Sequence, residues 1–428
     1  MKRWLLFFFV VVIYSCSIED RFDKEQYTIA FRRDCLRENS IIDDVKEYAV
    51  SLPGVFSTDN TKSLSRSIKT IIRFTDTKYY KGIDSSLVAK ANCLYLVDYD
   101  NDCGSAIIYM DSCFKHTIAF IESGSIIGVQ PDTKNGIYSN DGNNTIYDIL
   151  ELLPYYLAEL DMYLIPQPVC NDIDSTDANG YYYCAPRFYY SQEVNVGSLR
   201  IPTPNMHQFN PYNSACCFYN GYEYIGPFPA GCNAIAAAII MAYYQYPGSY
   251  SYCGLNRLID WTESDSSQSI AQMIAVLGEL FYTTYSYNNS QGYPQYAGDA
   301  FDYFGYLHSN QCPLSYNVVK NDIDAGRPIF TYGFPNNNAT GHTWVIDGYK
   351  ETIQYYMCEW SVYGPDGTYR GKWSNIVPGV QQAHNYVYCN WGQGGSGNGY
   401  YSMGMLTMGG VNYSTNATVL PGIRVDNS

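Results

Sequence analysis

The chain has 428 residues, 46% of them hydrophobic and 16% charged, with a formal net charge of -15. That length suits two or three domains, each with a core of its own, and the scarcity of Lys and Arg excludes nucleic acid as a natural partner, because phosphate binding needs clustered basic side chains. Tyrosine is unusually common, at 46 residues, which suits wet clefts and polar–apolar boundaries but names no ligand.

The N-terminus reads as a targeting segment. Lys2-Arg3 is followed by an apolar run from Trp4 to Tyr14, too short for a transmembrane helix, which ends in Ser15-Cys16 before the polar Ser17 and the acidic Glu19-Asp20. The pattern predicts a lipoprotein signal over residues 1–16, with Cys16 as the lipidated residue; an ordinary secretory signal is the alternative. Lipid on Cys16 would anchor a soluble body to a membrane surface. The expected localisation is therefore that of an exported bacterial lipoprotein, at the outer membrane or cell surface.

Residues 17 to about 60 are polar and charged, with a helix expected around Ile41 to Tyr48. Strands are expected at Cys93–Tyr99, Ser105–Met110 and Thr117–Phe120, with Asn101-Asp102-Cys103-Gly104 as the turn between the first two. Apolar positions at helical spacing over 145–165 predict a further helix. Together these make a small α+β domain over 17–195 with no catalytic constellation of its own.

The second domain, 196–428, places helices first: Gly231–Tyr246, stopped by Pro247-Gly248, then Ile270–Leu280 and Tyr296–Phe304. Strands follow at Ile329–Tyr332, Thr343–Ile346, Ile353–Cys358, Tyr386–Asn390 and Gly399–Leu406. This order predicts an α+β fold with a helical half, an antiparallel sheet half and a cleft between them.

Chemistry concentrates in that domain. Cys232 opens a small-residue helix, where free N–H groups and the positive helix end favour thiolate. His342 lies in Gly341-His342-Thr343-Trp344, where it would act as general base and acid and pair as an ion with Cys232, with Gly341 leaving room for a substrate backbone and Trp344 and Ile346 pointing away from the histidine face. His384, beside Asn385, is the rival histidine. Asn390 would accept the ring N–H of His342, and Trp391 would shield that bond from water. Gln208, 24 positions before Cys232, would supply an oxyanion-hole amide. The order Cys, His, Asn is that of papain-type cysteine peptidases. Cysteines other than Cys16 and Cys232 show no compact Cys-x-x-Cys metal spacing, and their pairing is not readable.

The blocks Gln208–Asn213, Gly231–Met241 with Tyr246-Pro247, Phe304-Gly305-Tyr306, Gly341–Gly348 and Asn390–Gly395 with Gly399-Tyr400-Tyr401 together resemble the streptopain family of cysteine peptidases. Tyr95–Asp98, Gly104–Ile108 and Gly124–Gly128 resemble its inhibitory propeptide. The resemblance implies a papain-like two-lobed catalytic domain behind a propeptide that blocks the cleft. It implies Cys232 as nucleophile, His342 as base, Asn390 as orienting amide, Trp391 as shield and Gln208 as oxyanion donor. Protein or peptide substrates follow, cleaved by preference after a hydrophobic residue at the second position before the scissile bond, with no metal or organic cofactor. The chain departs from the family at Asn233, Ile235, Ile239, Gln393 and Met206, where Val, Thr, Gln, Trp and Trp are usual. His342 and Asn390 stand 48 positions apart, so residues 350–385 read as an insertion turning at Gly364–Gly367, a flap over substrate or a partner surface. Maturation is expected near residues 190–200, releasing the catalytic domain from its anchor. The alternatives are a catalytically silent surface-binding lipoprotein on a peptidase scaffold and, further off, another thiol acyl-transfer enzyme.

Overall fold

The structure is a computed structural model that describes residues 38–56, 66–76, 88–111, 115–123, 175–191, 193–219, 222–261, 268–287, 290–334, 341–404, 406–408, 411–412 and 417–426. Cys16, the Gly124–Gly128 block and the helix expected over 145–165 lie outside these residues.

The first described element is helix α1 (Glu38–Phe56), longer than the sequence suggested and carrying Pro53 inside its last turn. Four strands follow: β1 (Ile68–Arg73), β2 (Leu94–Tyr99), β3 (Ser105–Met110) and β4 (Lys115–Ile121). After them come β5 (Tyr182–Tyr190) and β6 (Val194–Arg200). The helical half holds α2 (Cys232–Tyr244), α3 (Gln268–Leu280), α4 (Ala297–Tyr303) and α5 (Tyr316–Asp324), the last not anticipated. The sheet half holds β7 (Ile329–Gly333), β8 (His342–Tyr363), β9 (Tyr369–Asn390), β10 (Gly399–Ser402) and β11 (Thr418–Leu420).

Helix α2 forms where the sequence is richest in Ala, the best helix former, and its isoleucines are carried by burial rather than by propensity. It is buried from Asn233 to Met241, so it is a central helix rather than an amphipathic one. Gln245 in the left-handed conformation closes it, and Pro247 cannot continue it. Ile235, Ile239 and Ile240 pack with Leu277 of α3, Phe281 just after it, Phe301 of α4, and Phe330 and Val345 of the sheet. This cluster is the contact between the two halves.

The small N-terminal α+β domain expected from the sequence is not a separate layer. Its strands continue the catalytic sheet, in the order β1-β2-β3-β4-β10-β9-β8-β7-β11 within one 13-stranded sheet. The junction is antiparallel, with Gly399 opposite Ile121, Tyr400 opposite Phe120 and Tyr401 opposite Ala119. The cores merge accordingly. Leu94, Leu96, Ile107 and Ile118 share one cluster with Trp344, Ile346, Trp391 and Tyr401, and Tyr48, Phe56 and Phe120 share another with Tyr386, Tyr388 and Tyr400. Pairing β4 to β10 covers an edge that would otherwise present a row of open N–H and C=O groups.

Glycine is required at this junction. A Cβ on Gly399 would lie 2.3 Å from the Phe120 carbonyl oxygen, so one of the two backbones would have to shift. Gly399→Ala should therefore destabilise the protein by about 1–3 kcal/mol, with faster amide exchange in β4 than in β7. Equal change in both strands would show that the junction is not where the strain falls.

Residues 350–385, expected as an insertion turning at Gly364–Gly367, form a paired hairpin. They lengthen the two catalytic strands to 22 residues on each side and turn at Gly364–Gly367, where the Gly367 N–H bonds to the Gly364 carbonyl. The far edge of β8 is covered in turn by β6, along Gly348–Ile353, and by β5, along Tyr356–Tyr363.

Candidate active site

The nucleophile candidate is set by a backbone feature. Gly231 has φ 88° and ψ 139°, a conformation that L side chains rarely adopt, and it turns the chain so that Cys232 is the first helical residue. The Gln208 segment is tied to the same turn: the Ala230 N–H donates to the Gln208 carbonyl at 2.9 Å, and Asn213 Nδ2 donates to the Phe228 carbonyl at 3.0 Å. Gln208 thus sits beside the entry to α2, partly buried.

Strand β8 meets the helix start through Thr343. Its hydroxyl donates to Asn233 Oδ1, and its backbone N–H acts on the Cys232 thiol. His342, the neighbour of Thr343, is 6% exposed. Its Nε2 lies 3.3 Å from the Trp391 carbonyl. A carbonyl only accepts, so Nε2 carries the proton and Nδ1 keeps the lone pair. Trp344 lies on the same strand face as His342, its ring parallel at 6.3 Å between centroids, because side chains two apart share a face; the expectation that it points away was wrong. Trp391 is fully buried, 6.1 Å from the His342 ring and 5.1 Å from that of Trp344.

Asn390 was expected to accept the His342 ring N–H. In the structure the Trp391 carbonyl takes that contact. The Asn390 amide instead donates to Thr203 Oγ1 at 2.9 Å and to the Pro204 carbonyl at 3.1 Å, while its oxygen accepts the Gly392 N–H at 3.2 Å. Thr203 in turn donates its hydroxyl to Asp347 Oδ2 at 2.7 Å. Asp347 is fully buried on β8, its carboxyl pushed up to about 6 by burial. Asn390 thereby ties the loop that carries the Trp391 carbonyl to β8, and Asn390→Ala should cost about 1–3 kcal/mol while lowering activity far less than loss of His342 does. Denaturant melts and kcat on one peptide substrate check both halves of that expectation.

Burial opposes charge on both reacting groups. It raises the Cys232 thiol, against the downward pull of the Thr343 and helix-start N–H groups. It lowers His342 to about 4, against the upward pull of the Trp391 carbonyl. Burial thus favours the neutral form of each group, where the sequence suggested an ion pair. The space over Gly341, expected to be open for substrate, is filled: a Cβ there would meet the Phe334 ring at 2.6 Å.

His384, the rival histidine, is elsewhere. It sits on β9 opposite Thr352, with Nε2 3.1 Å from Gln354 Oε1 and its ring stacked on His116 at 4.4 Å. Four site residues escaped the sequence reading: Asn233, Thr343, Thr203 and Asp347. For Asn233 the signal was present, as a polar residue in an otherwise apolar buried helix; for Thr203 none was. Among the described residues, Cys103, Cys216, Cys217, Cys253, Cys312 and Cys389, like Cys232, are free thiols.

Residues 249–401 match the family model described as the Peptidase C10 family. The matched segment resembles that peptidase family over 153 of the 428 residues. The matched segment contains His342, Asn390 and Trp391 and starts after Cys232. No curated protein matches the chain. Among solved structures it is similar to a fragment of Prevotella intermedia prointerpain A, a mutant with one cysteine replaced by alanine, with 17% identity, 78% of this chain and 96% of that chain covered, and a TM-score of 0.40. It is also similar to active wild-type interpain A cysteine protease of the same organism, with 18% identity, 58% and 98% covered, and a TM-score of 0.34.

Proposed function

We propose that the protein is an endopeptidase made as a latent precursor, in which Cys232 attacks the scissile carbonyl and His342 Nδ1 takes the thiol proton and later returns it to the leaving amine. The observation that carries this reading is the meeting of the α2 start with β8: the thiol lies against Thr343, next to a histidine whose other nitrogen is held by the Trp391 carbonyl. Gln208, beside the helix entry, is the proposed side-chain donor of the oxyanion hole, with the backbone N–H of Cys232. Trp391 excludes water, and Asn390 holds its loop. A hydrophobic residue is preferred at the second position before the scissile bond.

Three features support latency. Burial favours the neutral form of both reacting groups, Phe334 occupies the space over Gly341, and the N-terminal strands share a sheet and two cores with the catalytic part. In this reading residues 17–195 are the propeptide, Cys16 is the lipid anchor at the outer membrane or cell surface, and cleavage near 190–200 starts release. A cut there falls between or within β5 and β6, both paired to β8. The pieces stay together until β4 leaves β10, so a nicked chain co-elutes as one species before activation.

The test is incubation of the purified, reduced chain beside Cys232→Ala. The parent, 48.5 kDa, is expected to shorten to the mass of residues 196–428 and to cleave casein, and the variant to do neither. If neither changes, the chain is trimmed near residue 195 with an added protease and treated with an epoxide that alkylates peptidase thiols. Failure to label Cys232 then sinks the proposal and favours the silent-scaffold alternative. Separately, Gln208→Ala should lower kcat roughly 10²–10³-fold with little change in binding of an uncleaved peptide; unchanged kcat would remove Gln208 from the oxyanion hole.

A further inference from the structure

Away from Cys232, the described residues bring together three buried groups from distant parts of the chain. His116 comes from β4, Glu193 from the residue before β6, and His384 from β9, and they are 1%, 3% and 4% exposed. One ligand atom from each lies within 4.8 Å of the others. Glu193 is buried with the Thr352 side chain against its carboxyl, and its Oε2 makes no hydrogen bond of good geometry. A buried carboxylate oxygen left so is costly, and neither the catalytic reading nor the sheet explains why it is there.

The surroundings prepare these atoms as donors. Gln354 Nε2 donates to the Lys115 carbonyl, which turns Gln354 Oε1 toward His384. That oxygen can only accept, so His384 Nε2, 3.1 Å away, carries the proton and Nδ1 keeps its lone pair. Glu193 Oε1 accepts the Tyr386 hydroxyl at 2.7 Å and faces the Thr117 N–H at 3.4 Å. Partners of this kind orient metal-binding histidines and carboxylates through their other polar atoms. Bonds of about 2.0–2.2 Å in a tetrahedral zinc site separate the donors by roughly 3.4 Å. His116 Nδ1 and Glu193 Oε1 already stand 3.4 Å apart.

We propose that His116, Glu193 and His384 form a buried site for one divalent transition-metal ion of the zinc class, which fastens β4 to the long hairpin. Two imidazoles and one carboxylate suit such an ion better than calcium or magnesium, which take oxygen ligands. The site is enclosed, so its role is structural: the ion is acquired as the strands assemble and couples the N-terminal strands to the arm that continues the catalytic strands. Peptide hydrolysis at Cys232 needs no metal, and this ion would act only on whether the N-terminal strands stay in place.

The test uses the full chain, stripped with a chelator and titrated with Zn²⁺ alone and then with Co²⁺ alone. One equivalent of Zn²⁺ should bind and slow amide exchange across Lys115–Ile121. His116→Asn and His384→Gln should each weaken binding roughly 100-fold or more, and Gln354→Leu roughly 10–100-fold. Co²⁺ should give ligand-field bands of nitrogen and oxygen ligation without the ultraviolet band of a thiolate ligand, which separates this site from the cysteines. A thiolate band at one equivalent, unchanged affinity in both histidine variants, or no saturable Zn²⁺ binding would overturn the proposal. If either variant fails to fold, the cobalt spectrum and the β4 exchange of the parent chain decide it.

Discussion

His342→Gln is expected to lower kcat/KM for peptide hydrolysis roughly 10²–10⁴-fold, the range a positioned general base contributes, while the chain remains folded. The loss follows from the burial described at the site. With the thiol raised by burial, little thiolate forms unaided, and in the proposed mechanism Nδ1 of His342 removes the proton as the sulfur attacks. Its pH dependence is specific. The folded form holds His342 at about 4, below the ordinary 6.5, so the unfolded chain binds the proton first. His342 therefore contributes stability that is present above about 6.5 and lost as pH falls toward 4, by up to about 3 kcal/mol. The glutamine variant removes that share of the acid limb, so its unfolding free energy should fall less than the parent's between pH 6.5 and 4. Parallel denaturant titrations across that window measure it, and identical acid limbs would mean that His342 is not held neutral by burial.

Trp391→Ala carries the second large effect, about 3–5 kcal/mol of lost stability. The indole is fully buried, packed edge-on to Tyr401 at 5.5 Å and tilted against Trp344 at 5.1 Å, inside the cluster that N-terminal and catalytic strands share. Removing it leaves a cavity beside His342 that water can enter. The imidazole should then titrate closer to 6.5, and histidine NMR should show that rise. A loss of stability with no change in His342 would confine Trp391 to packing.

Much of this was legible because it is local. The run from Cys232 to Tyr244 is a helix by composition and ends where Pro247 requires, and the apolar runs Cys93–Tyr99 and Ser105–Met110 on either side of a turn announced β2 and β3. The functional blocks around Cys232, His342 and Asn390 stood out as residue types in chain order, without coordinates. What the sequence could not supply was pairing between segments remote in the chain. The contact of Gly399 with Phe120, which makes one sheet of two expected domains, joins backbones rather than side-chain types and leaves only a glycine as its trace. The extension of β8 and β9 into a long hairpin looked like an insertion, because the count from His342 to Asn390 reveals its length and not its pairing.

Within the site the division is the same. Cysteine at a helix start, histidine on a strand and asparagine before tryptophan were set by the sequence alone. Which atom holds the His342 ring was decided by the tertiary structure: Thr203 and Pro204 engage the Asn390 amide, so the neighbouring Trp391 carbonyl faces the imidazole instead. Charge state was decided there too, because a thiol and an imidazole titrate according to the water and dipoles around them, and burial against Trp391 is a property of the assembled core. The meeting of His116, Glu193 and His384 is the extreme case, three ordinary residues in sequence that become a donor set only when β4 and β9 are brought into one sheet.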